Sequence, residues 1–229
     1  MQSVLQTSAD KIPGWNNGQG LSGGVIRTTQ SLDYASGAGR MNLNRAYDVL
    51  LTGTTDVAGG GGTVAARGWD FGQVQSGTPV DYRVAGQLLA GTSFTTTLAW
   101  FVDRGINLIS NATTEQSVDD LNLEVWKTVN GVAVTKVAES VSSWNNVEHL
   151  HFVVPETAAY LIRVIWSGEV WDLISDADVE QYALSWFGTS QNTAPEISVE
   201  RSGSVIESGA GIDFGATTAG DSRSEVVTI

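Results

Sequence analysis

The sequence predicts a mainly β fold, an antiparallel sandwich or barrel preceded by a short helical segment. Period-two alternation is the first observation behind that prediction. It recurs in five short segments, Phe94–Phe101, Leu121–Trp126, Val147–Val154, Tyr160–Trp166 and Tyr182–Phe187, and alternation sends every second side chain to one face of a strand. Punctuation is the second. Glycine accounts for 26 of 229 residues, and turn residues fall between the alternating segments, which is the pattern of many short strands rather than of disorder. Composition is the third: 41% hydrophobic and 8% aromatic residues supply a packed core for one large domain or two smaller pieces.

Taken in order, Met1–Asp10 places Val4, Leu5 and Ser8 at helical spacing, and Pro13-Gly14 ends that segment. Trp15–Ser31 is a loop rich in Gly and Asn. Arg45–Leu51 returns to helical spacing, with Ala46, Val49 and Leu50 on one side. Thr52–Arg67 contains Gly59-Gly60-Gly61-Gly62 with no Gly-Lys-Ser/Thr after it, so it reads as a flexible linker and not as a phosphate loop. Gly68-Trp69-Asp70-Phe71-Gly72 opens the β region, and Asp81–Leu89 supplies another strand. Within the five alternating segments, Leu121, Leu123, Leu150, Phe152, Ile162, Val164 and Leu184 are the candidate core. Trp69, Trp100, Trp166 and Trp186 have parities that point inward with them. Thr189–Ala194 reads as a second linker. Glu196–Val199, followed by Ile206, Ile212 and Phe214, begins a new strand pattern.

The formal net charge is −13. An acidic surface repels phosphate backbones and anionic lipid, which argues against nucleic-acid and membrane-surface partners. Cysteine is absent, so disulfides, zinc–thiolate sites and thiol nucleophiles are excluded. No apolar run approaches the length of a membrane span, and Met1–Lys11 lacks the basic head and apolar centre of an export signal.

Two N-terminal segments carry a resemblance. Leu5-Gln6-Thr7-Ser8-Ala9-Asp10 and Gly37-Ala38-Gly39-Arg40-Met41-Asn42, the latter followed by Arg45-Ala46, resemble the last helix and the closing segment of the catalytic domain of subtilisin-like serine proteases. Further on, Phe94–Trp100, Asp119–Leu123, Asn145–Glu148, Pro155–Val164 and Gln181–Leu184 are similar, in order, to marks of the jelly-roll domains that follow that catalytic domain in some bacterial members. Ala159 stands where the family has glycine, and Asp103 falls one residue later than the family's acidic position. Pro195–Val199, Gly211–Gly215 and Val226–Ile229 resemble the opening of immunoglobulin-like repeats of bacterial surface proteins. The resemblance implies four parts: residues 1–51 as the end of a catalytic domain, 52–67 as a Gly-rich linker, 68–188 as a jelly-roll sandwich, and 189–229 as a linker and a truncated repeat. On this reading the chain is a fragment of an exported, extracellular or cell-surface protease.

The family's nucleophile lies in a Gly-Thr-Ser-x-Ala-x-Pro motif that this chain lacks. Gly91-Thr92-Ser93 repeats its first letters, but Phe94-Thr95-Thr96 follows, and a triad needs an activated serine beside a base held by a carboxylate. Ser93 is therefore expected to be a turn residue, and His149 and His151, the only histidines, to be partly solvated. No catalytic residue is assigned to this chain. The full-length parent is expected to be a serine endopeptidase.

Related jelly rolls hold calcium in acidic loops, and the resemblance offers Asp119, Asp120, Asn145, Asn146 and Glu148 as ligands. Calcium takes six to eight oxygens, while the same residues also suit turn capping. Eight tryptophans are many for this length. Trp126, Trp144 and Trp171 sit on outer parities or in loops, where an aromatic ring beside Asn and Asp stacks on a sugar, or else closes a sandwich edge. Two functions follow. The first is a non-catalytic C-terminal region that stabilises its protease or positions a polypeptide substrate, with the remainder of the catalytic domain as partner. The second is a carbohydrate- or surface-binding module with a surface glycan as partner.

Overall fold

The computed structural model describes residues 1–53, 57–173 and 178–191, together with the backbone of three short strands further on. Residues 1–191 form one compact unit and residues 192–229 a second.

The first unit begins with helix α1 (Gln2–Ser8), a hairpin of β1 (Gly20–Ser22) and β2 (Val25–Thr28), and helix α2 (Leu43–Thr52). There follow β3 (Gly62–Val64), β4 (Arg67–Gln75), β5 (Val80–Val84), β6 (Gln87–Leu88), β7 (Ser93–Trp100), β8 (Asp103–Asn107) and β9 (Ala112–Val129). The last strands are β10 (Val132–Ser140), β11 (Val147–Val153), β12 (Ala159–Asp172), β13 (Val179–Phe187) and β14 (Ser190–Gln191), the last pairing with β6. In the second unit, β15 (Glu200–Arg201) pairs with β16 (Ser204–Val205) and β17 (Val227–Thr228). The apolar residues Ile206, Ile212 and Phe214, the segment Pro195–Val199 and the segment Gly211–Gly215 lie outside the described residues, as does Ile229.

One sheet has the order β11-β7-β13-β4, and the other runs β10-β9-β12-β5. The chain therefore passes back and forth between two facing sheets, which is the jelly-roll form of the sandwich. These pairs are antiparallel. Two parallel additions widen the second sheet, β2 beside β10 and β3 beside β5. All seven candidate core residues are buried between the sheets, with Phe94, Leu98, Trp100 and Trp186 among them. The register explains this, since Leu98 is paired with Glu148 on one side and with Leu184 on the other, so alternate residues of three strands share one inner face.

The outer face of β11-β7-β13-β4 is covered as well. Helices α1 and α2 lie there, with Val4, Ala46 and Val49 buried and Leu5, Trp69 and Phe187 packed against them. Both helices lie where sequence periodicity puts them, α2 starting two residues before Arg45. Asn42 caps α2 by accepting from the Arg45 backbone N–H at 3.0 Å, a bond that satisfies one of the helix's orphan donors. Asp10 anchors the entry to α2 through Arg45 at 3.1 Å and through the Asn42 amide.

Three sequence expectations change here. Trp69 does not enter the sandwich core; Gly68, Asp70 and Val74 hold the inner parity of β4, and Trp69 faces the helices. The glycine run does not hang free between packed units: Gly62–Val64 pairs with β5, and a Cβ at Gly60 would overlap the Tyr82 hydroxyl, at a backbone φ of +89°, so glycine is required there. Strand β10 was not visible in the pattern. Its ladder to β9 shifts register between Ala133 and Thr135 and again between Lys136 and Ala138, and each bulge resets the inside–outside alternation.

Candidate functional site

Beneath α1, a line of polar side chains joins the helix to the sheet. Lys11 Nζ lies 2.8 Å from His149 Nε2, and His149 Nδ1 lies 2.8 Å from Thr97 Oγ1. Thr7 Oγ1 completes the line, 2.7 Å from both Thr97 Oγ1 and Ser185 Oγ. When Lys11 is an ammonium it only donates, so Nε2 then accepts and the imidazole carries its proton on Nδ1, which donates to Thr97. Trp15 sets its ring edge-on to both histidines, with centroids 6.0 and 5.9 Å away, and Lys11 Nζ sits 4.4 Å from the Trp15 ring.

His149 was expected to be partly solvated and is instead fully buried, because α1 and the loop after it roof the outer face of β11. Burial, with Lys11 and His151 nearby, holds its pKa well below the usual histidine range. His151 bonds Thr95 Oγ1 at 2.8 Å and is brought down to about 4 by burial and by the Lys11 and Arg45 charges. Burial, with Arg45, brings Lys11 itself to about 7. The set contains hydroxyls, an imidazole and an amine, the elements of nucleophilic catalysis. Yet Thr7, Thr97, His149 and Ser185 are all closed to solvent, so the line fastens the helix and does not meet a substrate. Ser93 is exposed at the first position of β7, opposite Val153, and it is Thr95 that bonds His151. It was expected in a turn and is instead the first residue of the strand, with the turn just before it at Ala90-Gly91.

At one end of the sandwich, the five residues offered as calcium ligands bond neighbouring protein groups, Glu148 and Asn145 sharing the Ser142 hydroxyl. Glu148 is fully buried on the inner parity of β11. It accepts from the Ser140 hydroxyl, from the Ser142 backbone N–H at 2.7 Å and from Ser142 Oγ at 2.7 Å. Burial raises its pKa to about 8 despite those bonds. Asp119 hydrogen-bonds with Glu180, whose carboxyl burial and the Asp119 charge also push up to about 8. Burial raises Asp120 above the ordinary carboxylate range, against hydrogen bonds from Ser167 and Ser143. Asn145 Oδ1 lies 2.9 Å from Ser142 Oγ, and the Asn146 amide donates to the Trp100 carbonyl at 2.7 Å. Among the described residues, no three His, Asp or Glu side chains are gathered as a metal shell. Calcium bound at this end would raise the melting midpoint, the mass-action signature of a native-state ligand, and coincident melting curves in millimolar calcium and in chelator would remove the ion.

The three tryptophans offered for sugar stacking also separate. Trp126 donates from Nε1 to Glu124 at 2.7 Å, and its ring is flanked by Lys136 at 5.3 Å and Arg163 at 5.5 Å. Both cations belong to a ladder of ion pairs on the outer sheet face, Lys136 with Glu124 and Glu139, and Arg163 with Asp81 at 2.7 Å. That ring is engaged. Trp171 is half-buried at the far end of β12, opposite Val118 of β9. Trp144 alone of the three stands out, 81% exposed on the turn between β10 and β11. It lines a cleft of about 440 Å³ whose other wall is the 29–37 loop. Sequence reasoning missed that wall, in particular Tyr34, because its proximity to Trp144 arises only from the pairing of β2 with β10.

No protein family's profile matches this chain, and no curated protein matches it. Among solved structures, CorA, described as a surface-associated copper-binding protein important in copper acquisition by Methylomicrobium album BG8, matches 54% of this chain and 81% of its own at 12% identity. The TM-score is 0.16, at which the likeness carries no argument for fold or function.

Proposed function

We propose that this chain is the C-terminal region of an exported subtilisin-like serine protease of a bacterial cell surface or exterior, in which the jelly roll stabilises the end of the catalytic domain. The packing of α2 is the observation that carries the reading. Its Ala46 and Val49 are buried against the sandwich side, while Leu43, Tyr47 and Leu51 remain exposed. A helix that is apolar on opposite sides is suited to lie between two bodies. In this reading the second body is the remainder of the catalytic domain, and the buried line from Lys11 to Ser185 fixes the junction.

The reading frame upstream of Met1 tests this. It is expected to encode Asp and His segments and a Gly-Thr-Ser-x-Ala-x-Pro nucleophile, and its whole product to hydrolyse casein through an acyl-enzyme on that upstream serine. The present chain alone is expected to leave casein and ester substrates intact, and Ser93→Ala in the whole protein to leave its rate unchanged. An upstream frame without those segments overturns the proposal. So does hydrolysis by the isolated chain that Ser93→Ala removes.

A further inference from the structure

We propose that the cleft between the 29–37 loop and the 142–145 turn binds a neutral carbohydrate chain, with Trp144 and Tyr34 as its stacking platforms. This goes beyond the protease reading and does not depend on it.

Tyr34 is 91% exposed and Trp144 is 81% exposed, and both line the same cleft. Single exposed aromatics are ordinary on a protein surface. Two at one concave site, each offering a broad apolar face and a polar edge, form a surface that matches the alternating C–H faces and hydroxyl rims of pyranose rings. The remaining lining has the complementary chemistry. Gln30, Ser31, Ser143 and Asn145 line it too; Gln30 Nε2 bonds the Leu32 carbonyl, Ser143 bonds Asp120 and Asn145 Oδ1 bonds Ser142, and their remaining amide and hydroxyl groups both donate and accept, as the hydroxyls of a sugar do. Among the described residues no lysine or arginine lines the cleft, and their one carboxylate there, Asp33, is held at about 2 by hydrogen bonds from Asn16 and Ser36. A fixed negative charge turns away nucleic acid and acidic glycans. An apolar peptide would find one aliphatic side chain, Leu32, between the aromatics. At about 440 Å³ the cleft falls within the size of small-ligand sites, about 300–1,000 Å³.

The walls are built in advance of any ligand. Asp33 accepts from the backbone N–H groups of Asn16, Ala35 and Ser36 at 2.7–2.9 Å, which pins the turn that carries Tyr34. The Val141 N–H donates to the Thr28 carbonyl at 3.0 Å and ties one wall to the other. Buried Glu148 holds the Ser142 N–H and hydroxyl beneath Trp144. A preformed cleft spares a ligand the entropic cost of ordering its site.

The test uses the whole chain as probe protein on insoluble cellulose and chitin, and in affinity gels carrying mannan, xylan or mixed-linkage β-glucan. At least one of these neutral polymers is expected to retain the chain. Trp144→Ala and Tyr34→Ala are each expected to weaken retention tenfold or more, with unchanged melting because both side chains project into solvent. The Trp126→Phe variant serves as control and is expected to bind as the parent does. Retention by none of the five polymers overturns the proposal, as does retention that both alanine variants preserve. Binding of casein or a proline-rich peptide to the cleft, lost in Trp144→Ala, would assign the site to polypeptide and overturn it equally.

Discussion

Leu123→Ala is expected to destabilise the sandwich by about 2–5 kcal/mol, seen as a lower urea midpoint at unchanged slope. Leu123 is fully buried on the inner face of β9, paired on one side with Ser140 of β10 and on the other with Val164 of β12. Truncation removes methyl groups from a site bounded by regular strands, which collapse poorly onto a void. Leu150→Ala and Leu184→Ala, on the opposite sheet, are expected to fall in the same range. The contrast is Leu51→Ala, exposed on α2, which is expected to stay within about 0.5 kcal/mol. If Leu123→Ala and Leu51→Ala melted alike, the two-sheet core would not be what holds the unit together.

Acidification from pH 6.5 towards 4 is expected to loosen α1 from the sheet before the sandwich itself opens. The sign follows from the two histidines. Their folded pKa values lie below that of a free imidazole, so the released state takes up protons that the docked state cannot. The histidines' contribution to docking is therefore complete above about 6.5 and falls as the pH drops, by up to about 1.4 kcal/mol per pH unit for each histidine that stays neutral. The groups facing them are Lys11 on the same side, Arg45 from α2, and Asp10, which is engaged with Arg45. Their balance is cationic, and among the described residues no further counter-charge bears on the histidines. Lys11 adds to the trend at higher pH, because its folded value of about 7 makes docking gain as pH rises from 7 towards 10.5.

Glu148 and Glu180 act in the opposite sense. Both are raised to about 8, so the stability they contribute is present below about 4.5 and declines as pH rises towards 8. They sit at the end of the sandwich core, so global unfolding mixes the two trends. Hydrogen-exchange protection resolves them. Protection of Gln2–Ser8 is expected to drop roughly ten- to a hundredfold per pH unit below 6.5, while Leu121–Val125 keeps its protection. His149→Gln, neutral at every pH, is expected to flatten the α1 response. Equal loss of protection in both segments would show that the helix and sandwich open as one.

The sequence by itself determined the sandwich and its core. Leu121, Leu123 and Val125, or Leu150 and Phe152, announce their face through a period of two, a local property of strand geometry. The helices at Val4 and at Ala46–Val49 were legible for the same reason with a period of 3.6. The tertiary structure alone decided what lies on the second face of β7 and β11. Thr95, Thr97, His149 and His151 alternate with the core residues and read as a solvated face, until α1, distant in the chain, covers them. It likewise decided among the site candidates. Trp126 and Trp144 look alike in sequence, but one is held between Lys136 and Arg163 and the other shares a cleft with Tyr34. Asp119 and Glu148 share an acidic signature and face different partners. Periodicity records which way a side chain points from its own strand; which partner it meets is set by strand order and by long-range packing, and no local pattern of residues encodes that.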